Sequence, residues 1–317
     1  MRALYPEIHP FNSHSIVVGE HSIYYEESGN RQGVPVVFIH GGPGSGSNAN
    51  HRRYFNPEFY RIINFDQRGC HRSTPVGCVE NNTTDELLED LERIRSSLGI
   101  DKWLLFGGSW GATLALLYAQ AFPERVTGLI LRGCFLARKA DLDWFIQGGA
   151  SKLFPDYWED FLAVLAEDER DNIVSAYHSR LHGEDKKEQQ RAAMAWSTWA
   201  GRIVTHTLES VDGDTYKPED PEQTIKEVKI ETHYARHAYF IAENQILQDV
   251  SKLPDVPFKI IHGRRDLTCT LESSWLLHRA IQGSELSIIK DGGHLAGETV
   301  MVDALVRATD DMAELLS

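Results

Sequence analysis

Cysteine is scarce in this chain of 317 residues: there are four, Cys70, Cys78, Cys134 and Cys269, and no two of them form a C-x-x-C pair. That spacing excludes the paired thiols of a zinc ribbon or a redox dithiol, and reads as reduced thiols in a cytoplasmic protein. No metal and no cofactor is expected. Basic residues are also in deficit, with 32 Lys and Arg against 46 Asp and Glu and a formal net charge of −14. The balance disfavours nucleic acid and anionic membrane surfaces as partners. Long apolar runs are missing as well: no stretch reaches the roughly 20 residues that span a bilayer. Met1-Arg2-Ala3-Leu4-Tyr5-Pro6 lacks the apolar centre of a signal peptide. Neither an internal repeat nor a low-complexity tract interrupts the sequence. What remains is ordinary globular composition, 42% hydrophobic, in a length that suits one large domain or two.

Against that background Gly107-Gly108-Ser109-Trp110-Gly111 stands out, because the apolar run Trp103 to Phe106 precedes it and a helical pattern, Ala112 to Ala121, follows. A strand, a tight G-x-S-x-G turn and a helix would hold a serine hydroxyl above the end of a sheet. Ser109 is the candidate nucleophile. A serine hydroxyl is unreactive at neutral pH without a base in hydrogen-bond reach and a group that orients the base. Asp266 follows an expected strand at Val256 to His262, and His294 follows another at Glu285 to Lys290. Functional groups of open α/β sheets sit past the carboxyl ends of strands, and Ser109, Asp266, His294 stand in the order nucleophile, acid, base. His40-Gly41-Gly42-Pro43-Gly44 follows the strand Val34 to His40 and offers backbone donors for an oxyanion, so Gly42 and Trp110 N–H form the expected oxyanion hole.

The remaining pattern sorts into two parts. Ser15 to Glu26 reads as a hairpin turning at Gly19-Glu20, and Tyr60 to Asp66 and Val126 to Leu131 read as strands. A capping box of Thr83 and Glu86 opens a helix closed by Gly99, and a last helix runs from about Thr299 to Leu316. Strands alternate with helices, which predicts an α/β-hydrolase fold: a mostly parallel sheet with helices on both faces, built from residues 1–134 and 250–317. Residues 135–249 carry long helical patterns without clear strands and read as an inserted helical cap. Asp66-Gln67-Arg68-Gly69 reads as a loop tie, Cys269 as a small hydrophobe lining the site. His233 and His237 read as two helix-surface histidines, since the glutamate of H-E-x-x-H is missing between them.

These residues together resemble the proline iminopeptidase (prolyl aminopeptidase) family of α/β-hydrolases. The likeness is carried by His40 to Gly44, Asp66 to Gly69, Gly107 to Gly111, Ala150 to Pro155 and Val302 to Asp310. It implies a metal-free serine peptidase that takes an amino-terminal proline from a peptide through an acyl-serine intermediate. It further implies that cap carboxylates bind the terminal ammonium, with Glu231 matching one of them. The second falls in W-x-x-W-E-G, which here reads Trp196-Ser197-Thr198-Trp199-Ala200-Gly201, so Ala200 replaces a glutamate. Phe135, Phe145 and Cys269 match the walls of the proline pocket, with Ala235 where an aromatic is common, although both phenylalanines fit a cap core nearly as well. The alternative is a carboxylester or general amide hydrolase that uses the same triad with altered amine recognition.

Overall fold

The computed structural model describes residues 1–317. Eight strands form one sheet: β1 (Asn12–Val18), β2 (His21–Gly29), β3 (Val34–Ile39), β4 (Tyr60–Phe65), β5 (Trp103–Gly108), β6 (Val126–Arg132), β7 (Phe258–Gly263) and β8 (Glu285–Ile289). Their order across the sheet is β1-β2-β4-β3-β5-β6-β7-β8. The first two strands pair antiparallel, as do β2 and β4, and every pairing from β4 to β8 is parallel. β5 lies at the centre and is buried throughout, which is why its sequence is a continuous apolar run rather than an alternating one. The hairpin turns at Gly19-Glu20, where Gly19 takes a left-handed φ of 59°.

Ten α-helices and seven short 3-10 or π turns complete the chain. α1 (Thr84–Ser97) and α2 (Trp110–Ala121) connect strands within the sheet domain. Between β6 and β7 come α3 (Lys139–Asp143), α4 (Pro155–Leu162), α5 (Ile173–His182), α6 (Lys186–Thr205), α7 (Pro221–Arg236) and α8 (Gln245–Gln248), while α9 (Leu271–Ala280) and α10 (Thr299–Leu315) follow β7 and β8. α1 turns Leu87, Leu91 and Ile94 inward. Its start differs from expectation: Thr83 does accept from the Glu86 N–H, but the Glu86 carboxylate leaves the helix end to pair with Arg68 at 2.6 Å. Only half of the capping box forms, because a buried guanidinium attracts the carboxylate more strongly than a backbone N–H.

The helices from α4 to α7 enclose their own aromatic core, in which Phe161, Tyr177, Trp196 and Trp199 are buried against one another. Truncating such an aromatic to alanine costs roughly 3–5 kcal/mol. α7 serves two cores at once: Val228 faces the helical layer, whereas Ile230, Tyr234 and Ala235 join the core beside the sheet. Tyr234 packs on Trp110 with ring centroids 5.0 Å apart and donates to Asn82 Oδ1 at 2.8 Å. The helix that carries Glu231 is thereby clamped directly to the serine elbow. No helix is long and apolar enough to cross a membrane.

Candidate active site

Ser109 sits between β5 and α2 with φ 56° and ψ −124°, a strained conformation for a residue with a side chain. Neighbouring contacts enforce it. The Ser109 N–H donates to Arg132 O at 2.9 Å and its carbonyl accepts the Ala112 N–H at 2.9 Å. The glycines at either end of the motif are there for space: a Cβ at Gly107 would fall 2.2 Å from Gly111 O, and one at Gly111 would fall 2.1 Å from Ile39 O. Strand and helix pass backbone against backbone, and the hydroxyl is left at the cavity edge.

His294 reaches the same cavity from the loop after β8, and Asp266, on the loop after β7, lies buried behind it. His294 Nδ1 donates to Asp266 Oδ2 at 2.8 Å, while Asp266 Oδ1 accepts the N–H groups of Thr268 at 3.0 Å and Cys269 at 2.9 Å. Burial alone would raise the Asp266 carboxyl, but the charge and hydrogen bond of His294, the nearby His262 and the Cys269 N–H outweigh it and hold the group below its ordinary value. The aspartate is therefore ionised and fixes the tautomer and tilt of His294. No hydrogen bond joins Ser109 to His294 in this structure. The serine hydroxyl instead contacts Cys269 Sγ at 3.7 Å, and His294 Nε2 has Arg132 Nη1 3.4 Å away.

A buried network fixes the His40 to Gly44 loop to the elbow. His40, held neutral by burial, donates from Nδ1 to Gly41 O at 2.9 Å and accepts the Gln67 N–H at Nε2 at 3.0 Å. Gln67 returns a bond from Nε2 to His40 O at 2.8 Å and accepts from Trp110 Nε1 at 2.9 Å. Trp110 opens α2, so its N–H is one of the first-turn donors without an intrahelical acceptor. Asp66 accepts from Ser47 N and Oγ, both at 2.7 Å, and from Arg72 Nε at 2.7 Å. The Asp66 to Gly69 loop ties loops together as its sequence suggests. Gln67 does more, and neither its role nor that of His40 was legible from spacing.

Ser109, Gly42, Phe135, Phe145, Glu231 and Cys269 line one small pocket of about 70 Å³, with Ala235 and Tyr239 in its wall. It opens into a cleft of about 610 Å³ that adds His294, Arg132, Ala200 and Tyr216. Glu231 accepts from Trp196 Nε1 at 2.7 Å and has no cationic partner; burial, with Glu227 adding to it, pushes its carboxyl up to about 7. Asp141 also reaches the pocket, but Arg138 and Ser273 neutralise and hold it. Thr268 lines both spaces, and its buried Oγ1 has no hydrogen-bond partner in the protein. One expectation fails here. His233 is not a surface residue: it is half-buried and bonds Asn82 O through Nε2 at 3.0 Å, because α7 packs on the sheet domain at that turn. His237 is exposed.

A family model described as alpha/beta hydrolase fold matches residues 34–299. A proline iminopeptidase of Xylella fastidiosa (strain 9a5c) is 46% identical over 312 residues, covering 98% of this chain and 99% of that protein. The chain belongs to the proline iminopeptidase family. A second member of the proline iminopeptidase family, from Arabidopsis thaliana, is 44% identical over 318 residues, covering 99% of this chain and 83% of its own length. The solved structure of a proline iminopeptidase-related protein from Thermus thermophilus shares the fold, with a TM-score of 0.58 at 20% identity over 96% of each chain. Within the proline iminopeptidase family frame, Ala200 leaves Glu231 as the pocket carboxylate without a paired cation.

Proposed function

We infer that the chain is a serine aminopeptidase that releases an N-terminal proline from peptides. The observation that carries this reading is the shared pocket: a nucleophile, apolar walls sized for a small ring, and an unpaired carboxylate around one space of about 70 Å³. A peptide whose first residue fills that space puts its ammonium beside Glu231 and its first carbonyl over Ser109. Chain on the amino-terminal side of that residue would have no room, which makes the cleavage an exopeptidase event.

On this reading His294 takes the proton of Ser109 as the hydroxyl, turned from Cys269 toward Nε2, attacks the carbonyl carbon. The tetrahedral oxyanion is held by the N–H groups of Gly42 and Trp110, donors that need no reorganisation because His40, Gln67 and Asp66 have already fixed them. His294 then gives its proton to the departing amine, the C–N bond breaks, and proline stays esterified to Ser109 until water, activated by the same imidazole, releases it. Asp266 stabilises the imidazolium formed on the way. Residues 135–249 act as the cap that shuts the amino-terminal side, and the four free thiols support a cytoplasmic location. Ser109→Ala, assayed on a prolyl arylamide and with a fluorophosphonate probe, is expected to lose both turnover and labelling. Undiminished turnover in that variant defeats the assignment.

A further inference from the structure

The cleft holds one permanent cation, and that cation has no anion. Arg132 ends β6 and lines the cleft beside Ser109 and His294. Its guanidinium lies across the backbone of Gly108, where a Cβ would fall 2.4 Å from Nη2 and 2.8 Å from Nε. Nη1 donates to His294 O at 2.6 Å, while Nε and Nη2 have no protein acceptor. Other interior arginines are paired with carboxylates: Arg52 with Glu26, Arg68 with Asp90 and Arg138 with Asp141. Arg132 forms no ion pair although the chain carries 46 acidic residues. The titratable groups around it are His40, His51, Tyr54, Tyr216, Glu231 and His294 in the cleft, with His262, Cys269 and Asp266 behind them, the Asp266 carboxylate being taken up by His294. His51, pushed down to about 3 chiefly by burial, and His40, also lowered, add no charge near neutrality.

We propose that Arg132 recognises the free carboxylate of the residue that follows proline, so that Pro-X dipeptides are the preferred substrates. The proposal rests on the assignment of Ser109 and His294 made above. His294 Nε2 must come within roughly 3 Å of the departing nitrogen to protonate it. In a dipeptide the carboxylate is attached one carbon beyond that nitrogen, with its oxygens about 3 Å away. Arg132 Nη1 stands 3.4 Å from Nε2, so guanidinium and carboxylate fall in contact range when the proton is delivered. A longer peptide puts a neutral amide in the same place. A paired guanidinium also opposes the transient imidazolium less than a bare one does. The carboxylate therefore acts on kcat as well as on KM.

The test compares kcat/KM for Pro-Gly and Pro-Gly-amide in the wild type, in Arg132→Gln and in Arg132→Lys. The wild type is expected to favour the free carboxylate by roughly ten- to a hundredfold, the range of a charge-assisted hydrogen bond. Arg132→Gln abolishes the preference and Arg132→Lys keeps part of it, and added salt narrows it in the wild type. Each ratio is taken within one enzyme, so general damage to His294 positioning cancels. Equal rates on both substrates in the wild type overturn the proposal, as does an undiminished ratio in Arg132→Gln. If Arg132→Gln fails to fold, the wild-type ratio and the ratio in Arg132→Lys still decide. Retained turnover in Ser109→Ala overturns the underlying site assignment instead, whatever the ratios are.

Discussion

Glu231→Gln separates what the pocket carboxylate does for folding from what it does for binding. In the unfolded chain the group ionises near its ordinary value of 4.5, and in the folded protein near 7, chiefly because it is buried. Between those values the native state holds a proton that the unfolded state has lost, so stability is greatest below about 4.5 and falls as pH rises through about 7. The displacement corresponds to roughly 3 kcal/mol, fully expressed above pH 7. Glutamine keeps an acceptor for Trp196 Nε1 and removes the charge. The variant should match the wild type at pH 4.5 and exceed it by about 3 kcal/mol at pH 8.5, measured by urea denaturation followed through tryptophan fluorescence. Its kcat/KM on a prolyl arylamide should drop by about a hundredfold, since the ammonium loses its counter-charge. A stability difference that is absent, or equal at the two pH values, refutes the claim that this carboxylate is ionised in the pocket at a cost.

Two further outcomes follow from charges elsewhere. Asp90→Asn should cost about 3 kcal/mol in urea denaturation, because Arg68 is 2% exposed and would keep only the half-exposed Glu86 as a counter-ion; replacing both partners by apolar residues should recover most of the loss. Ala200→Glu places a second carboxylate in the cleft and should lower KM for a prolyl arylamide about tenfold at pH 8, read from steady-state kinetics, while an unchanged KM shows that Glu231 already satisfies the amine.

Much of the architecture was legible because it is written in local period. β3 and β5 are buried over most of their length, so their sequences are apolar runs of strand length, β7 keeps that pattern apart from the paired Lys259 and His262, and α1 and α10 carry apolar residues at helical spacing. The neighbourhood of Ser109, Asp266 and His294 was legible for a related reason: parallel strands deliver their following loops to one edge, so residues placed just after strands come near one another there. What spacing could not convey are contacts between loops that only the folded sheet brings together. Gln67 bridges His40 and Trp110, and Glu86 abandons its own helix for Arg68; both choices depend on a neighbour distant in sequence. His233 reads as a helix-surface residue, yet α7 packs on two sides, and His233 is half-buried as a result.

The rotamer of Ser109 marks the same boundary within the candidate site. Residue types and order predict that Ser109 and His294 are partners, but the hydroxyl rests against Cys269 and Arg132 occupies the space beside His294 Nε2. Re-aiming the hydroxyl needs only a change among the staggered positions of one χ1. The unpaired guanidinium is a donor standing 3.4 Å from Nε2, where it competes with the hydroxyl for that nitrogen. On the proposal made above, a substrate carboxylate that draws Arg132 toward itself would free Nε2 for the serine, so the group that identifies a dipeptide would also complete the hydrogen bond needed for cleavage. The free-enzyme geometry and the preference for a free carboxylate are then two consequences of one unpaired charge, and a substrate lacking that carboxylate should lose turnover more than affinity.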